Sequence, residues 1–258
     1  MRVLDLFCGR LGWSKAFLAR GWEAVGVDLV EPPEIPAGFT FIKADALDIT
    51  LDYAGLRWNK FGPGKFITKC RFVGGSIDGY PELCDACGKF YEDDVHKPLK
   101  FDFACASSPC ENFTLFRMAH FHPKPPYPEL GIKLFNHSRG MLEAAGIPYI
   151  MENVAGAEDF VGRAVHHCGS FYLWGTAVPP LIPKGIRKGI DVGSSKAVKG
   201  MTKEEKRVYR SQFAWNQAWS SSEQRKRDTA KVATIPPELA NCVADYAERL
   251  LEVTNGKH

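Results

Sequence analysis

Short apolar runs alternate with amphipathic stretches over the first 50 residues of the chain. The run RVLDLF predicts a buried strand, and the following WSKAFLARG predicts an amphipathic helix that ends at Gly21. The runs EAVGVDL and GFTFIKADAL predict two further strands. Strands that alternate with helices in this way are typical of a parallel sheet with helices on both faces. We therefore expect an α/β fold built on a doubly wound, mostly parallel sheet.

Two later apolar runs end in polar residues, as further strands of the same sheet would. They are KFDFACASS and GIPYIMENV, and a capped helix is predicted between them, from Asn136 to Gly146. The stretch IPPELANCVADYAERLL begins with prolines and continues as an amphipathic helix. We expect this last helix to pack back on the core.

Two segments fit the predicted sheet poorly. Residues 51–100 are rich in Gly, Asp and Tyr, and we expect them to form an insertion in a core of residues 1–175. Residues 182–231 hold 13 basic and five acidic side chains, a net charge of +8 in a chain whose total is +3. The basic charge is therefore local. We predict a small basic segment at 176–230, followed by a C-terminal part, 231–258, that returns to the core.

Composition bears on the class of protein. The chain has 258 residues, of which 45% are hydrophobic, and this suits one large domain. We find no pattern of a secretory signal and no apolar stretch long enough to span a bilayer. The eight cysteines are scattered among apolar neighbours, unlike a disulfide framework. We therefore expect a cytoplasmic protein with reduced thiols and no membrane partner.

A glycine turn follows the first predicted strand. In DLFCGRLG, Gly9 and Gly12 allow the backbone to approach a ligand, and the turn opens a helix. Doubly wound folds use such turns to present backbone N–H groups to nucleotide-like ligands. Asp28 ends the second strand, where these folds place a carboxylate for a ribose hydroxyl, and Asp45 could accept from an adenine amino group. The alternative is a turn that binds nothing.

A thiol and a carboxylate follow two other predicted strands. Cys110 in SSPC and Glu152 in MENV each end an apolar run, so in a parallel sheet both lie at the carboxyl edge beside the glycine turn. A thiolate adds to an electron-poor double bond, and a nearby carboxylic acid can protonate the ring as charge develops. Taken singly, a buried cysteine and a helix-capping glutamate are the alternatives.

Together, these motifs resemble the DNA cytosine-5 methyltransferase family. VLDLFCGRLGWSKAFLARGWEAVGVD resembles the family's cofactor motif, DFACASSPCENFT its nucleophile loop, YIMENV its Glu-Asn-Val motif and KVATIPPELANCVADY its final motif. The resemblance covers roughly residues 1–50, 100–175 and 230–255. It implies the fold of S-adenosylmethionine-dependent methyltransferases and a DNA partner, most simply double-stranded cellular or phage DNA. We expect the chain to act as a monomer.

The resemblance implies a role for each matching residue. Cys110 attacks C6 of a cytosine, Glu152 protonates or hydrogen-bonds N3, and Asn153 helps to shape that site. C5 takes a methyl group from S-adenosylmethionine, and β-elimination then frees the base, which must be flipped out of the duplex. Pro109 and Cys110 would start a mobile loop that closes over the base. The implied cofactor-binding residues are Phe7, Gly9, Arg10, Leu11, Gly12, Asp28, Asp45, Ala46 and Lys231.

The chain departs from the family pattern in each of these regions. Four features of the family pattern are missing. They are a glycine in the middle of the turn, a glutamine after the nucleophile, an Arg-x-Arg element after Glu-Asn-Val, and Gly-Asn in the final motif. The residues found there are Arg10 and Leu11, Glu111, His166 and His167 (with Arg163 upstream), and Val232 and Ala233 beside Lys231.

Two of these departures concern the methyl donor. In one interpretation, Arg10 and Lys231 point to solvent or to a helix terminus, and the donor is plain S-adenosylmethionine. In the other, the two cations approach the methionine end of the donor and pair with the extra carboxylate of a carboxylated S-adenosylmethionine. The product would then be carboxymethylcytosine.

The insertion carries a candidate zinc site. Cys84-Asp-Ala-Cys87-Gly has the shape of a zinc knuckle, in which the glycine lets the thiolates converge on one metal ion. A second close pair is lacking, so the ligand set would be Cys70, Cys84, Cys87 and His96. A polar surface insertion with free thiols is the alternative.

The resemblance implies that the small basic segment at 176–230 is the target-recognition segment, because the family's recognition domain lies between the Arg-x-Arg region and the final motif. The segment and the departures also leave other functions open. Tyr209, Phe213, Trp215 and Trp219 lie among the basic residues, a composition that suits phosphate contact and wedging between bases, or a helix buried against the core. An RNA cytosine-5 methyltransferase and a DNA-binding module that has lost catalysis are the alternatives to a DNA methyltransferase.

Overall fold

The computed structural model describes residues 1–52, 55–58, 99–117, 127–182, 200, 202–205 and 234–255. These ranges contain a seven-stranded mixed sheet and a separate two-stranded antiparallel hairpin. In chain order the strands are β1 (Arg2–Leu6), β2 (Glu23–Asp28), β3 (Phe39–Lys43), the hairpin strands β4 (Ile49–Asp52) and β5 (Gly55–Trp58), then β6 (Phe103–Ala106), β7 (Tyr149–Asn153), β8 (His166–Cys168) and β9 (Phe171–Trp174). The helices are α1 (Ser14–Leu18), α2 (Glu111–Arg117), α3 (Glu129–Ala145), α4 (Glu158–Val161) and α5 (Pro237–Asn255).

The seven-stranded sheet has the order β3-β2-β1-β6-β7-β9-β8. Its first five strands are mutually parallel, and β9 is antiparallel to both β7 and β8. The central parallel strands β1, β6 and β7 are short and mostly buried because both of their faces are covered, whereas the edge strand β3 has exposed Thr40 and Lys43. The expectation of an α/β fold with a mostly parallel sheet is confirmed.

Alternating side chains of the strands feed two hydrophobic cores, one on each face of the sheet. Val3 and Phe103 belong to the core that includes α1 and α5 side chains, whereas Leu4 and Ala104 belong to the core under α3. Strand residues that are adjacent in sequence point to opposite faces, so a run such as RVLDLF contributes to both cores. Helices therefore lie on both faces, as the alternation of strands and helices predicts.

A polar cluster joins the C-terminal helix α5 to the segment between α1 and β2. The Arg20 guanidinium donates to Asp245 at 3.0 Å and lies 3.8 Å from a carboxylate oxygen of Glu248. The indole N–H of Trp22 also donates to Glu248, at 3.1 Å. Val243, Ala244 and Ala247 of α5 belong to the hydrophobic core on this face of the sheet.

Two elements differ from the expectations drawn from sequence. The helix predicted from Asn136 begins at Glu129 instead, while its predicted end, Gly146, is a left-handed cap with a φ of 67°. The early start follows from tertiary packing, because a Cβ at Gly131 would lie 3.0 Å from the ring of Phe113. The first turns of α3 thus pack against α2, and Asn136 is an exposed mid-helix residue without a capping role.

The segment after Cys110 is the second difference. A loop was expected from Pro109 onwards, but the residues after Cys110 form α2. Phe113 is fully buried, and this burial favours a helical turn at this position over an open loop. The hairpin of β8 and β9 was not predicted at all.

The predicted segment boundaries stay predictions. Most of the insertion at 51–100 and most of the basic segment at 176–230 lie outside the described residues. None of the helices within the described ranges is long and apolar enough to cross a bilayer.

Candidate active site

The strand order reverses next to β1. From β1 the chain builds β2 and β3 on one side, and then β6 and β7 on the other. In open α/β sheets, ligands bind outside the carboxyl ends of the strands at such a reversal. The segments that follow β1, β2, β6 and β7 therefore frame the candidate site.

The turn after β1 has left-handed backbone at residues other than glycine. Phe7 and Leu11 both have a φ of 61°, and Gly9 has a φ of 46°. This conformation costs a residue with a Cβ about 1–2 kcal/mol. Hydrogen bonds hold the turn nonetheless, since the Phe7 N–H donates to the carbonyl of Val27 at 2.8 Å and that of Leu11 to the carbonyl of Cys8 at 2.7 Å. Strain that is fixed in this way is common where a protein binds a ligand.

Gly12 lies against the segment that precedes α5. A Cβ at Gly12 would be 2.9 Å from the Cβ of Ile235 and 3.0 Å from its backbone nitrogen. Because backbone atoms cannot move aside easily, this position admits glycine alone without rearrangement. The segment around Ile235 therefore returns to the turn after β1.

The two unusual residues of this turn lie in different environments. Leu11 is 2% exposed and belongs to the core under α1 and α5, whereas Arg10 is exposed. The Leu11 side chain thus extends a hydrophobic core. Lys231, the other cation predicted to approach the donor, lies outside the described residues.

Asp28 is bound to the turn by its carboxylate. The Gly9 N–H donates to Oδ2 at 2.9 Å, and the Val30 N–H donates to Oδ1 at 3.1 Å. A carboxylate has about four acceptor sites, so this half-buried group can still accept from a hydroxyl. Leu29 and Val30, directly after it, are 60% and 72% exposed and form an apolar surface beside the carboxylate. This apolar surface was missed in the sequence, where LVEPP shows no motif.

Asp45 follows β3 as the cap of a short 3-10 helix. Its Oδ1 accepts the N–H of Leu47 at 2.9 Å, and Ala46 is buried. This hydrogen bond gives the Asp45 carboxylate a structural role at the start of the 3-10 helix. Contact with an adenine amino group stays a prediction.

Asp5 is a candidate that the motifs did not single out. It lies in β1 and is 1% exposed, and its Oδ2 accepts from the Ser14 N–H at 3.2 Å and hydroxyl at 2.5 Å. Its Oδ1 has no hydrogen-bond partner among the described residues. Burial raises the pKa of Asp5 to about 7, although the bonds from Ser14 oppose the shift. The sequence feature that could have identified Asp5 is a single acidic residue in an apolar strand. A buried carboxyl with a raised pKa, near the carboxyl ends of parallel strands, is a candidate for a functional role.

Cys110 lies between β6 and α2, is partly exposed and forms no disulfide. Its carbonyl accepts from the N–H and the hydroxyl of Thr114, both at 2.9 Å, which places Cys110 directly before the first turn of α2. Backbone N–H groups at the start of a helix favour negative charge there. Cys105, by contrast, is fully buried, and burial raises its pKa well above the ordinary value. Of these two thiols, Cys110 is suited to act as a nucleophile.

Asn153 joins the two predicted catalytic motifs. Its Nδ2 donates to the carbonyl oxygen and to the Oγ of Ser108, both at 3.0 Å, and its Oδ1 accepts the N–H of Val154 at 2.9 Å. The side chain is fully buried. Its amide therefore holds the segment that leads to Cys110, and this shapes the site indirectly.

Glu152 is 7% exposed and lies on β7, the neighbour of β6. In the sheet register it stands opposite Leu173, which in turn stands opposite His166. Paired residues project from the same face, so Glu152 and His166 share a face two strands apart. His166, one of the residues found at the position of the expected Arg-x-Arg element, therefore lies on the same face of the sheet as Glu152. His167 points to the other face, where its ring stacks on Tyr172 with centroids 5.0 Å apart.

The predicted zinc ligands Cys70, Cys84, Cys87 and His96 lie outside the described residues. Within the described ranges, no group of three or more His, Cys, Asp or Glu side chains could hold a metal ion. The zinc site therefore stays a prediction.

Comparison with known proteins adds no relative. No protein-family model matches the chain, and no curated protein matches its sequence significantly. The described residues form an α/β fold with a thiol and a buried carboxyl near the carboxyl ends of its parallel strands, and the function is argued from that geometry.

Proposed function

We propose that this protein transfers a methyl group from S-adenosylmethionine to C5 of a flipped-out cytosine in DNA. The reaction proceeds through a covalent bond between Cys110 and C6 of the base. The observation that carries the proposal is the pair of hydrogen bonds between Asn153 and Ser108, which join the Pro-Cys and Glu-Asn-Val motifs at one edge of the sheet. The doubly wound fold of the S-adenosylmethionine-dependent methyltransferases is part of the proposal, and the reversal of strand order at β1 supports it.

The residues after β1 and β2 fit the donor. Asp28 retains acceptor sites for the ribose hydroxyls, and the exposed side chains of Leu29 and Val30 provide apolar surface for the adenine ring. Asp5 has a buried carboxyl oxygen without a described partner, and its ionised form favours a positively charged group nearby. When bound, S-adenosylmethionine supplies an electrophilic methyl group.

Cys110 acts as the nucleophile. Its thiolate adds to C6 of the cytosine, and the electron pair of the C5–C6 double bond becomes available at C5. Glu152 donates a proton or a hydrogen bond to N3, so that negative charge does not accumulate on the ring. After C5 has taken the methyl group, a base removes the C5 proton and the Cys110 thiolate leaves, which restores the double bond.

The chain positions these groups before the base arrives. Asn153 fixes the backbone of Ser108, so the path of the chain into Pro109 and Cys110 is set by a buried contact. Holding a nucleophile in the reactive geometry can contribute several kcal/mol to catalysis. The target atoms are inaccessible in a stacked duplex, so the base has to leave the helix to reach the site.

The test is an incubation with labelled S-adenosylmethionine and either duplex DNA or RNA of the same sequence, read by nucleoside mass spectrometry. We expect 5-methylcytosine in DNA, and a covalent adduct with DNA that contains 5-fluorocytosine, since elimination then has no C5 proton to remove. Cys110→Ala should abolish both while donor binding persists. Cys242→Ala, which removes another partly exposed free thiol on α5, is the matched control and should stay active.

Each other outcome identifies a different function. Methylcytosine in RNA alone would indicate the RNA enzyme, and carboxymethylcytosine would indicate the carboxylated donor. DNA binding without modification would indicate a module that has lost catalysis. Full turnover by Cys110→Ala would contradict the covalent mechanism.

A further inference from the structure

Trp13 connects the turn after β1 to the segment that leads to the nucleophile. Its indole Nε1–H donates to the hydroxyl of Ser107 at 2.9 Å, across 94 positions of sequence. Trp13 is 1% exposed, and a buried indole N–H normally has one partner. This hydrogen bond thus joins the side of the site that holds the donor to the side that holds the thiol.

The indole is fixed by both of its neighbours in the chain. On one side, Gly12 packs against Ile235 too closely to admit a Cβ. On the other side, the Ser14 N–H and hydroxyl both donate to the buried carboxylate of Asp5. A displacement of the turn therefore moves the indole with it, and the hydrogen bond carries this displacement to Ser107.

The backbone between Ser107 and Cys110 is also held in place. The Ser107 N–H donates to the carbonyl of Leu6 at 3.2 Å, and the next residue, Ser108, is held by Asn153. Pro109 follows, and its ring fixes one of the two backbone torsions before the nucleophile. The connection from Ser107 to the thiol is therefore short and has few free torsions.

We propose that Trp13 is a positioning residue that couples occupancy of the donor site, through Ser107, to the placement of the Cys110 thiol. The inference rests on the proposed function, from which it takes the roles of the turn and of the thiol. It goes further in assigning a physical link between the two halves of the reaction. A molecule bound against the turn then changes the reactivity of Cys110 before any group is transferred.

The experiment measures alkylation of Cys110 by iodoacetamide, followed by peptide mass spectrometry, with and without S-adenosylhomocysteine. This probe has no transferable methyl group, so the readout needs neither DNA nor turnover. We expect the probe to change the alkylation rate of the wild type by about fivefold, the effect of one typical hydrogen bond. Trp13→Phe keeps an aromatic ring but removes the donor N–H, and we expect the dependence on the probe to disappear.

Trp22→Phe is the matched control. Trp22 is 3% exposed, belongs to the same core as Trp13, and donates its own indole N–H to Glu248, away from the site. The variant loses the same atoms as Trp13→Phe, yet it should keep the dependence on the probe. Thermal unfolding of both variants checks that each is folded. Simple shielding of the thiol by the probe would persist in Trp13→Phe, and that result would overturn the proposal.

Ser107→Ala provides a second, independent variant. If the hydrogen bond is the link, Ser107→Ala and the double variant with Trp13→Phe should lose the dependence to the same extent, so the effects are not additive. Additive effects of the two substitutions would overturn the coupling. So would a wild type whose alkylation rate is the same with and without the bound probe. Methylation of DNA by a wild type that lacks coupling would leave the proposed function intact. Coupling in a protein that modifies no nucleic acid would contradict the function alone.

Discussion

Glu152 combines near-complete burial with a position on β7, the strand next to the one that leads to Cys110. We expect Glu152→Gln to lower kcat for methylation of duplex DNA by about 10²–10⁴-fold, because the amide keeps the shape of the side chain but cannot act as an acid. Steady-state incorporation of labelled methyl groups measures the effect.

Glu111→Gln is the control for the loss of negative charge. Glu111 follows Cys110 directly and is exposed, so its replacement removes a similar charge without removing a buried acid. It should turn over close to the wild-type rate. Equal losses in both variants would attribute the effect to charge alone, and normal turnover by Glu152→Gln would show that another group activates the ring.

Asp5 makes stability depend on pH in a defined direction. Its pKa is raised from 3.8 to about 7 in the folded protein, chiefly by burial, so the folded state retains a proton that the unfolded state has lost. The stability that protonated Asp5 contributes to the folded state is fully present below about pH 4, and it is lost as the pH rises to about 7. Its size is on the order of 1 to 4 kcal/mol, since one pKa unit corresponds to about 1.4 kcal/mol.

Asp5→Asn should remove this dependence, because its amide oxygen can accept from Ser14 without ionising. Urea unfolding of wild type and variant from pH 5 to pH 8 measures the two free energies of unfolding. We expect the wild type to lose stability relative to the variant across this range. Parallel curves would show that Asp5 is ionised throughout.

The positions of candidate residues in the fold could be predicted where chemistry and local motif coincide. Cys110 and Glu152 each follow an apolar run, and the structure places both at one edge of the sheet. The contact of Trp13 with Ser107 could not be predicted, because no local sequence pattern indicates that a residue 94 positions away accepts a hydrogen bond from the buried indole N–H. Such contacts depend on strand order, which sequence periodicity does not specify.

At the scale of elements, the turn after β1 and the entry to α5 form one packing unit. Gly12→Ala should destabilise the protein by about 1–3 kcal/mol, because its Cβ would meet Ile235 at 2.9 Å and the backbone would have to shift. Thermal unfolding measures the loss. Donor binding should weaken as well, since the same shift displaces the turn.

Gly140→Ala is the matched control for this substitution. Gly140 lies in α3, and a Cβ there would meet nothing within 4 Å. Alanine should therefore stabilise the helix by up to about 1 kcal/mol. A Gly12→Ala variant as stable as wild type would contradict the packing unit.

Elements with a clear period were predictable, and those defined by tertiary contact were not. The apolar runs gave the five parallel strands because buried strands need no polar face. The start of α3 was wrong by several residues because Asn136 has the chemistry of a cap, whereas Gly131 packs on Phe113 and extends the helix. Strand β8 is the three-residue segment His166–Cys168, whose two histidines are exposed, so no apolar run marks it and the hairpin with β9 could not be predicted.

At the scale of the whole molecule, metal content tests the insertion. We expect about one zinc ion per chain, the stoichiometry of a single structural site formed by Cys70, Cys84, Cys87 and His96. Elemental analysis of protein purified without chelators measures it, and Cys84→Ser should release the metal while Cys242→Ala retains it. Absence of zinc from the wild type would leave a polar surface insertion with free thiols.

The pairing of β1 with β6 has a consequence for synthesis of the chain. Val3 pairs with Phe103, so about 100 further residues must be synthesised before the partner strand of one edge of β1 exists. At a typical translation rate of about 5–20 residues per second, this interval lasts about 5–20 s on the ribosome. An unpaired, apolar strand edge is a template for aggregation during that time. Residues 51–100 make up half of the interval, so the length of the insertion determines how long the nascent chain exposes the strand on which the site is built.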